Sequence, residues 1–452
     1  HKEYRRQRQM CIRDRIMHLV KFLILILFAT SFYANDISIG QKDFSRLTKM
    51  LHKEVRKGNY PGFFTLIQKD GDLIYSDIVG FSNLEENIKL QKDSLFRIYS
   101  MTKPITGVAL MIAADKGLLN LSDPVSKYIP EFSSTKVLSE NNSDLLDLSR
   151  SITILDLATH TSGLAYSFSI KGKIKEIYEK EKIYPYYAID NFNEDLSLEK
   201  FYSNICEFSQ KVATVPLAHQ PGDKWTYSIG MDILGCVIER ASKTSFGKFL
   251  DDNIFEPLDM NDTFFQVPED KRSRMTNLYG HIDGFEQFGI EPPKGSKKSK
   301  TKLVLVDKAN GSAYFNKVSI EDGGSGLVSS AQDYLKFGQM LLNRGVYKGK
   351  RIISEESYIT LTSNQLNEKN QRFDAFGFGI TLGISIDSSK LRQKKGDGSF
   401  FWGGAAKTKF WVDPENNLVL VNMTQLLGSP KDLGRKIDKL VYKDLKKFEK
   451  SN

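Results

Sequence analysis

Apolar positions recur at helical spacing through Phe44, Leu47, Met50, Leu51 and Val55, which predicts a helix within residues 36–60 that turns one face to a core. Two strand-like runs follow, Gly62–Gln68 and Leu73–Val79. They are joined by Lys69-Asp70-Gly71-Asp72, and Asp-Gly between apolar runs signals a hairpin. Residues 83–95 are polar and read as a loop. The pattern then changes, because Ile105 and Val108 to Ala114 are apolar almost all round, as in a helix buried mid-domain. Asp123 before Pro124 ends that stretch and opens a further short helix. Residues 165–200, rich in lysine, glutamate and tyrosine, read as a helical surface lobe or lid. Met231–Ser242 and Ala331–Asn343 read as helices. Between them, residues 267–318 are polar and lysine-dotted, which predicts a long loop or flap near a site. The last quarter predicts strands at Phe376–Ile386, Thr408–Val412 and Leu418–Met423, a hairpin turn at Asp413–Asn417, and an amphipathic helix over Leu433–Phe448. Strands at both ends with helices between them predict an α+β fold. One antiparallel sheet is built from about residues 40–100 and 325–448, with a mainly helical region inserted at about 115–320.

The first 34 residues stand apart from this pattern. Residues 1–16 are polar and arginine-rich, match no targeting pattern, and read as a non-native extension. From Met17, a short positive stretch, an apolar core at Phe22–Phe28 and small residues up to Ala34 have the shape of a secretory signal peptide, residues 17–34. The expectation is an exported protein, periplasmic or secreted, whose folded domain covers residues 35–448. The alternative is an uncleaved N-terminal membrane anchor, although the apolar core is short for a span.

Composition narrows the classes further. With 452 residues, 40% of them hydrophobic, the chain can bury a large core without disulfides. The formal net charge is +9, but residues 1–34 hold seven Lys/Arg against two Asp/Glu, so the remainder carries +4. No basic helix with interleaved aromatics accompanies that charge, and no nucleic-acid partner is expected. No His/Cys/Asp/Glu cluster has metal-ligand spacing, so neither a metal nor another cofactor is expected. Cys11 lies in the extension. Cys206 and Cys236 can pair in an oxidising compartment, but Cys236 sits in an apolar helix, which favours a buried free thiol.

Chemistry enters at Tyr99-Ser100-Met101-Thr102-Lys103, at the mouth of the apolar helix. Three residues apart, Ser100 and Lys103 share a helix face. A lysine in such a place must be paired or desolvated, and desolvation disfavours its charge. A lysine able to lose its proton near neutral pH can take one from a neighbouring hydroxyl. Four other Ser-x-x-Lys spacings occur, at Ser133–Lys136, Ser197–Lys200, Ser245–Lys248 and Ser299–Lys302. No comparable apolar helix follows any of them, and they read as solvated surface. Spacing alone still leaves Ser100 open to a helix-capping role beside a snorkelling lysine.

Two more stretches complete a pattern, Tyr227-Ser228-Ile229 and Trp402-Gly403-Gly404-Ala405. Five groups of residues stand in one order: Ser100 to Thr106; His160-Thr161-Ser162-Gly163-Leu164; Pro221-Gly222 with Trp225 and Tyr227-Ser228; Gly324-Ser325-Gly326-Leu327; and Trp402 to Ala405 with Phe410 to Pro414. Together they resemble the family of class C β-lactamases, penicillin-binding DD-peptidases and family VIII carboxylesterases, over roughly residues 45–445. The resemblance implies a β-lactamase/transpeptidase-like fold and an acyl-enzyme on Ser100. It implies that Lys103 and Tyr227 move protons and that the backbone N–H groups of Ser100 and Ala405 hold an oxyanion. Each residue type suits its task. A helix N-terminus favours negative charge. A phenol of pKa about 10 becomes a usable base only beside a cation such as Lys103. Whether Lys103 or Tyr227 carries the proton stays open. Gly403 and Gly404 allow a substrate close to the backbone.

Two departures bear on substrate. Ile229 stands where the β-lactamases and peptidases usually have an asparagine, and it cannot hydrogen-bond a substrate amide. Trp402 stands where they usually have lysine or histidine, and it offers no cation to a carboxylate. An ester needs neither group, and Trp-Gly-Gly is the form the esterase branch tends to show. The expectation is a carboxylesterase acting on small esters, with Trp402, Gly403, Gly404 and Ile229 shaping the pocket. Two other readings stand beside it: a DD-peptidase or class C-like β-lactamase acting on peptidoglycan peptides or β-lactams, and a catalytically silent penicillin-binding-like module. His160 reads as structural, since the chain lacks a Gly-x-Ser-x-Gly elbow.

Overall fold

The first strand shows how the molecule is layered. Phe63 and Ile67 belong to one buried cluster, and Phe64 and Leu66, the alternate positions, to another. A strand apolar on both faces needs cover on both sides. The computed structural model describes residues 39–451 apart from 142, 184–201, 285–301, 317, 319, 372–373, 391–394 and 430–432. The expected extension and signal segment lie outside the described residues, as do the second half of the 165–200 lobe and the centre of 267–318.

The main sheet uses eight strands: β1 (Gly62–Lys69), β2 (Asp72–Asn83), β3 (Ile88–Lys89), β4 (Phe376–Phe378), β5 (Gly383–Ser385), β6 (Phe400–Gly403), β7 (Lys409–Asp413) and β8 (Leu418–Met423). Their order is β4-β5-β6-β7-β8-β1-β2-β3, and all pairings are antiparallel. The two ends of the chain meet where β1 pairs β8, from Phe64 opposite Met423 to Lys69 opposite Leu418. Six helices matter here: α1 (Ser45–Arg56), α2 (Thr102–Asp115), α3 (Ile205–Ala213), α4 (Gly230–Ser242), α5 (Ala331–Leu342) and α6 (Gly434–Ser451). Helices α1 and α6 cover one face of the sheet, and Asp444 of α6 ties them by accepting the Arg46 and Leu47 N–H groups at 3.0 Å each. Helices α2, α4 and α5 pack on the other face, and α2 is buried from Thr102 to Ala113.

The α+β reading and the sheet built from both termini are what the structure has. Three local expectations need correction. Phe376–Ile386 is two strands rather than one, because the chain reverses through Gly379 and Thr381, the latter at φ +64°. The 267–318 segment is not a plain loop. Leu278–His281 pairs with Leu303–Asp307 on one side and with Leu426–Leu427 on the other. The lysines around them masked two short apolar runs. Cys206 and Cys236 form a disulfide instead of standing as free thiols, because α3 packs on α4 and brings their Cα atoms to 4.9 Å.

Candidate active site

A 3₁₀ turn over Tyr99–Met101 delivers the chain into α2, with Tyr99 held at φ +43°. A non-glycine residue there is uncommon and needs outside support. Ile98 N–H donates to Leu327 O (3.0 Å), and Tyr334 Oη donates to Met101 O (2.7 Å). Ser100 is left half-buried at the mouth of α2, and Lys103 one turn on is fully buried.

Lys103 Nζ lies 2.7 Å from Gly324 O, 3.0 Å from Tyr166 Oη and 3.3 Å from Ser100 Oγ. It also sits over the rings of Tyr166 and Tyr227, 5.1 and 4.9 Å from their centroids. Tyr227 Oη donates to Ser100 Oγ at 2.8 Å. The hydroxyl of Ser100 is thus bracketed by an amine and a phenol that arrive from places 3 and 127 residues away in the chain.

The site has a second layer that the sequence reading missed. Gly324 N–H donates to Asp322 Oδ1 (2.6 Å) and Asp232 Oδ1 (3.3 Å). A Cβ on Gly324 would lie 2.8 Å from Asp232 Oδ2 and 3.0 Å from Tyr166 Oη, so only glycine brings its carbonyl to Lys103. Burial and the neighbouring Asp322 push the Asp232 carboxyl well above the usual carboxylate range, although Lys103 opposes them. That shift favours the protonated form of Asp232 behind the lysine. Tyr166 is the other missed residue. It follows the His160–Leu164 stretch by two positions, and its place beside that motif was the available signal. Tyr166→Phe removes one oxygen from Lys103 and leaves the ring stack on Phe168 intact. It should lower kcat by about tenfold, the loss expected for one hydrogen bond to a charged group, with KM little changed; steady-state kinetics check it.

The β-lactamase family profile matches residues 47–442. The chain belongs to the β-lactamase family. It is 31% identical over 382 residues to Protein Rv1367c of Mycobacterium tuberculosis, covering 81% of this chain and 86% of that protein. Esterase EstB of Burkholderia gladioli is 25% identical over 388 residues, 84% of this chain and 90% of EstB. The solved structure of EstCE1, described as a hydrolase with promiscuous acyltransferase activity, superposes with a TM-score of 0.69 at 21% identity. That match covers 89% of this chain and 99% of EstCE1 and shows a shared fold.

The remaining family stretches fall around the same turn. Trp402 and Gly403 end β6, which pairs with β7 from Phe400 to Gly403. The Trp402 ring is 5.9 Å from that of Tyr227. A Cβ on Gly404 would collide with Ile98 O, which shows how tightly the β6–β7 turn abuts the chain entering Ser100. Ala405 sits in that turn, exposed. Ile229 is placed differently from expectation. It precedes α4 with no exposed surface, inside the main core, rather than facing the site. Its apolar side chain is held by the core, and what the position contributes to the site is the lack of an amide.

His160 is fully buried at φ +58°, with its ring 4.8 Å from that of Tyr227. Its Nδ1 accepts from Ser228 N–H (3.2 Å) and lies 2.9 Å from Ser228 Oγ. Burial, aided by Lys103, pushes the imidazole well below its ordinary pKa, so it is neutral. The unfolded chain binds a proton there below about pH 6.5 and the folded one does not. Stability therefore falls as pH drops below 6.5, by about 1.4 kcal/mol per pH unit per proton, until the depressed folded pKa is reached. His219, also lowered by burial, adds the same sign. His160→Asn keeps a residue that tolerates positive φ. It should flatten the pH dependence of denaturant-measured stability between pH 6.5 and 5 by one proton.

The competing Ser-x-x-Lys spacings, where described, are surface features. Ser245 caps a short helix through Lys248 N–H, and Lys248 Nζ pairs with Asp252 in solvent. Lys136 pairs with Asp147, and both are exposed.

Proposed function

We propose that this β-lactamase-fold hydrolase is a serine carboxylesterase that works through an acyl-enzyme on Ser100. The observation that carries the reading is the Ser100 hydroxyl held 2.8 Å from Tyr227 Oη and 3.3 Å from Lys103 Nζ. Three oxygens surround Lys103 Nζ, as many as an ammonium has donors, which supports Lys103 as the cation and Tyr227 as the group that takes the proton. In the reacting state Tyr227 Oη has given up the proton it donates to Ser100 in the resting geometry, and Ser100 Oγ adds to the ester carbonyl as its own proton passes to that oxygen. The N–H groups of Ser100 and Ala405 hold the resulting oxyanion. The carbon–oxygen bond to the alcohol breaks, and the alcohol leaves with the proton from Tyr227. Water then repeats the sequence, releases the acid and restores Ser100.

Ester rather than amide or β-lactam chemistry is supported by the missing amide at Ile229 and the missing cation at Trp402. The likeness to EstB points the same way. Export, read from residues 17–34, is part of the proposal. The test is a panel of short aryl esters, a chromogenic cephalosporin and a D-Ala-D-Ala peptide, with Ser100→Ala as blank. The esters should exceed the other two by at least about 100-fold in kcat/KM, the scale of about 2.7 kcal/mol in transition-state binding. Cephalosporin turnover that rivals the esters overturns the reading.

A further inference from the structure

Strand β5 pairs with β6 only at Phe400 and Phe401, whereas β6 runs on to Gly403 against β7. The edge of β6 from Trp402 to Gly404 is therefore not covered by β5. A cavity of about 620 Å³ follows this open edge, within the size range of ligand clefts. On one side it is walled by Trp225, Phe378 and Trp402, and both tryptophans pack near Tyr227. On the other it reaches the opposite face of the sheet, where Phe401, Leu433 just before α6 and Ile437 in its first turns line it. The passage between the two runs over glycine. Gly403 is exposed, and the one atom a Cβ there would approach is Thr408 O, at 3.1 Å.

The far end is charged. Lys395 is 3% exposed, lies 3.1 Å from Asp438 Oδ2 and stands over the face of Phe401, 4.6 Å from its centroid. Lys409 Nζ lies 2.6 Å from Asp438 Oδ1, so two ammonium groups share one carboxylate. Arg435 and Lys407 also border the cavity. Asp413, which accepts from Gly396 N–H next to Lys395, adds a second negative charge behind it. Lys395, Lys407, Lys409 and Arg435 thus border the cavity together with Asp438. Burial lowers the Lys395 pKa to about 8 against the pull of Asp438, and an arriving anion would stabilise the charged form.

We propose that this cavity is the subsite for the acyl arm of the substrate, an apolar chain that crosses the edge of β6 at Gly403-Gly404 and ends in a carboxylate or phosphate held by Lys395 and Arg435. The assignment rests on the esterase reading and names its substrate class, esters of long acyl groups with an anionic far end. Ester and anion are read by different residues, so two measurements separate the two claims.

The first is binding without turnover: cis-parinaric acid, an apolar carboxylate that fluoresces when buried, titrated into Ser100→Ala protein. Saturable binding is expected, weakened about tenfold by Lys395→Met and by Arg435→Glu, as for loss of one charge-assisted contact. Arg435 is exposed in the first turn of α6, so its variant folds even if the buried Lys395 variant does not. The second is hydrolysis of p-nitrophenyl acetate, p-nitrophenyl octanoate and the mono-p-nitrophenyl ester of octanedioic acid. The octanedioate ester should be preferred to octanoate by about tenfold in kcat/KM, and Arg435→Glu should abolish that preference. Absence of saturable parinarate binding, or a preference unchanged in Arg435→Glu, overturns the subsite. Parinarate binding that both charge variants weaken, without turnover of any ester, upholds the anion pocket and sinks the esterase reading. Ester turnover without parinarate binding does the reverse.

Discussion

Ser100→Ala is expected to turn over no ester above the buffer rate and to take no label from a fluorophosphonate probe. Deleting a serine nucleophile costs roughly 10⁶-fold in kcat where the residue forms the covalent intermediate. The substitution removes one oxygen from a half-buried turn and little else. Lys103 keeps Gly324 O and Tyr166 Oη, and the turn itself is held by Ile98, Leu327 and Tyr334. The melting temperature should stay within the few degrees that about 1 kcal/mol moves a chain of this size. Loss of activity with an unchanged melt therefore reports chemistry. Undiminished labelling of Ser100→Ala would place the nucleophile elsewhere. The described competitors, Ser133 and Ser245, have no tyrosine and no buried lysine within hydrogen-bond reach in the structure to activate them.

What the sequence could disclose follows from distance along the chain. Ser100 and Lys103 are three residues apart on a helix whose burial is written in its own composition, so their meeting is a local property. The helices and the hairpin of β1 and β2 were legible for the same reason. Tyr227 lies 127 residues from Ser100 and was reachable only through resemblance. Asp232 and Asp322 left no local signal, because what matters is their convergence behind Gly324 and Lys103, set by the packing of α2 on α4. The Cys206–Cys236 bridge was misread for a related reason: a cysteine in an apolar helix looks like core until the partner helix is known. Ile229 shows a different limit. A motif position tells what side chain is missing from a site but not whether the residue that replaced it faces the site or the core.

Lys103→Met tests the centre of the arrangement, with an expected fall in kcat of about 10³- to 10⁴-fold, the upper range for removing a proton-transfer group. Methionine fills much of the buried volume without a charge, but removing one member of a buried charged group leaves its partners uncompensated and lowers stability, so the variant's melting temperature is measured beside its rate. The cost falls on what Lys103 held. Gly324 O loses its donor, Tyr166 Oη loses a partner, and the Asp232 carboxyl loses the cation that opposed its protonation. If Lys103 is the cation of the proposed mechanism, whatever activity survives its loss should rise toward alkaline pH. Lys103→Arg should not rescue, because a planar guanidinium cannot reach the three oxygens that a compact ammonium serves in this enclosed space. The pH–rate profile distinguishes the roles. An alkaline shift in Lys103→Met makes Lys103 the cation that sets up Tyr227. A flat, uniformly low profile makes Lys103 itself the base. A variant that keeps more than about a tenth of the wild-type rate at neutral pH would show that Tyr227 activates Ser100 without it, and the proposed division of labour would fall.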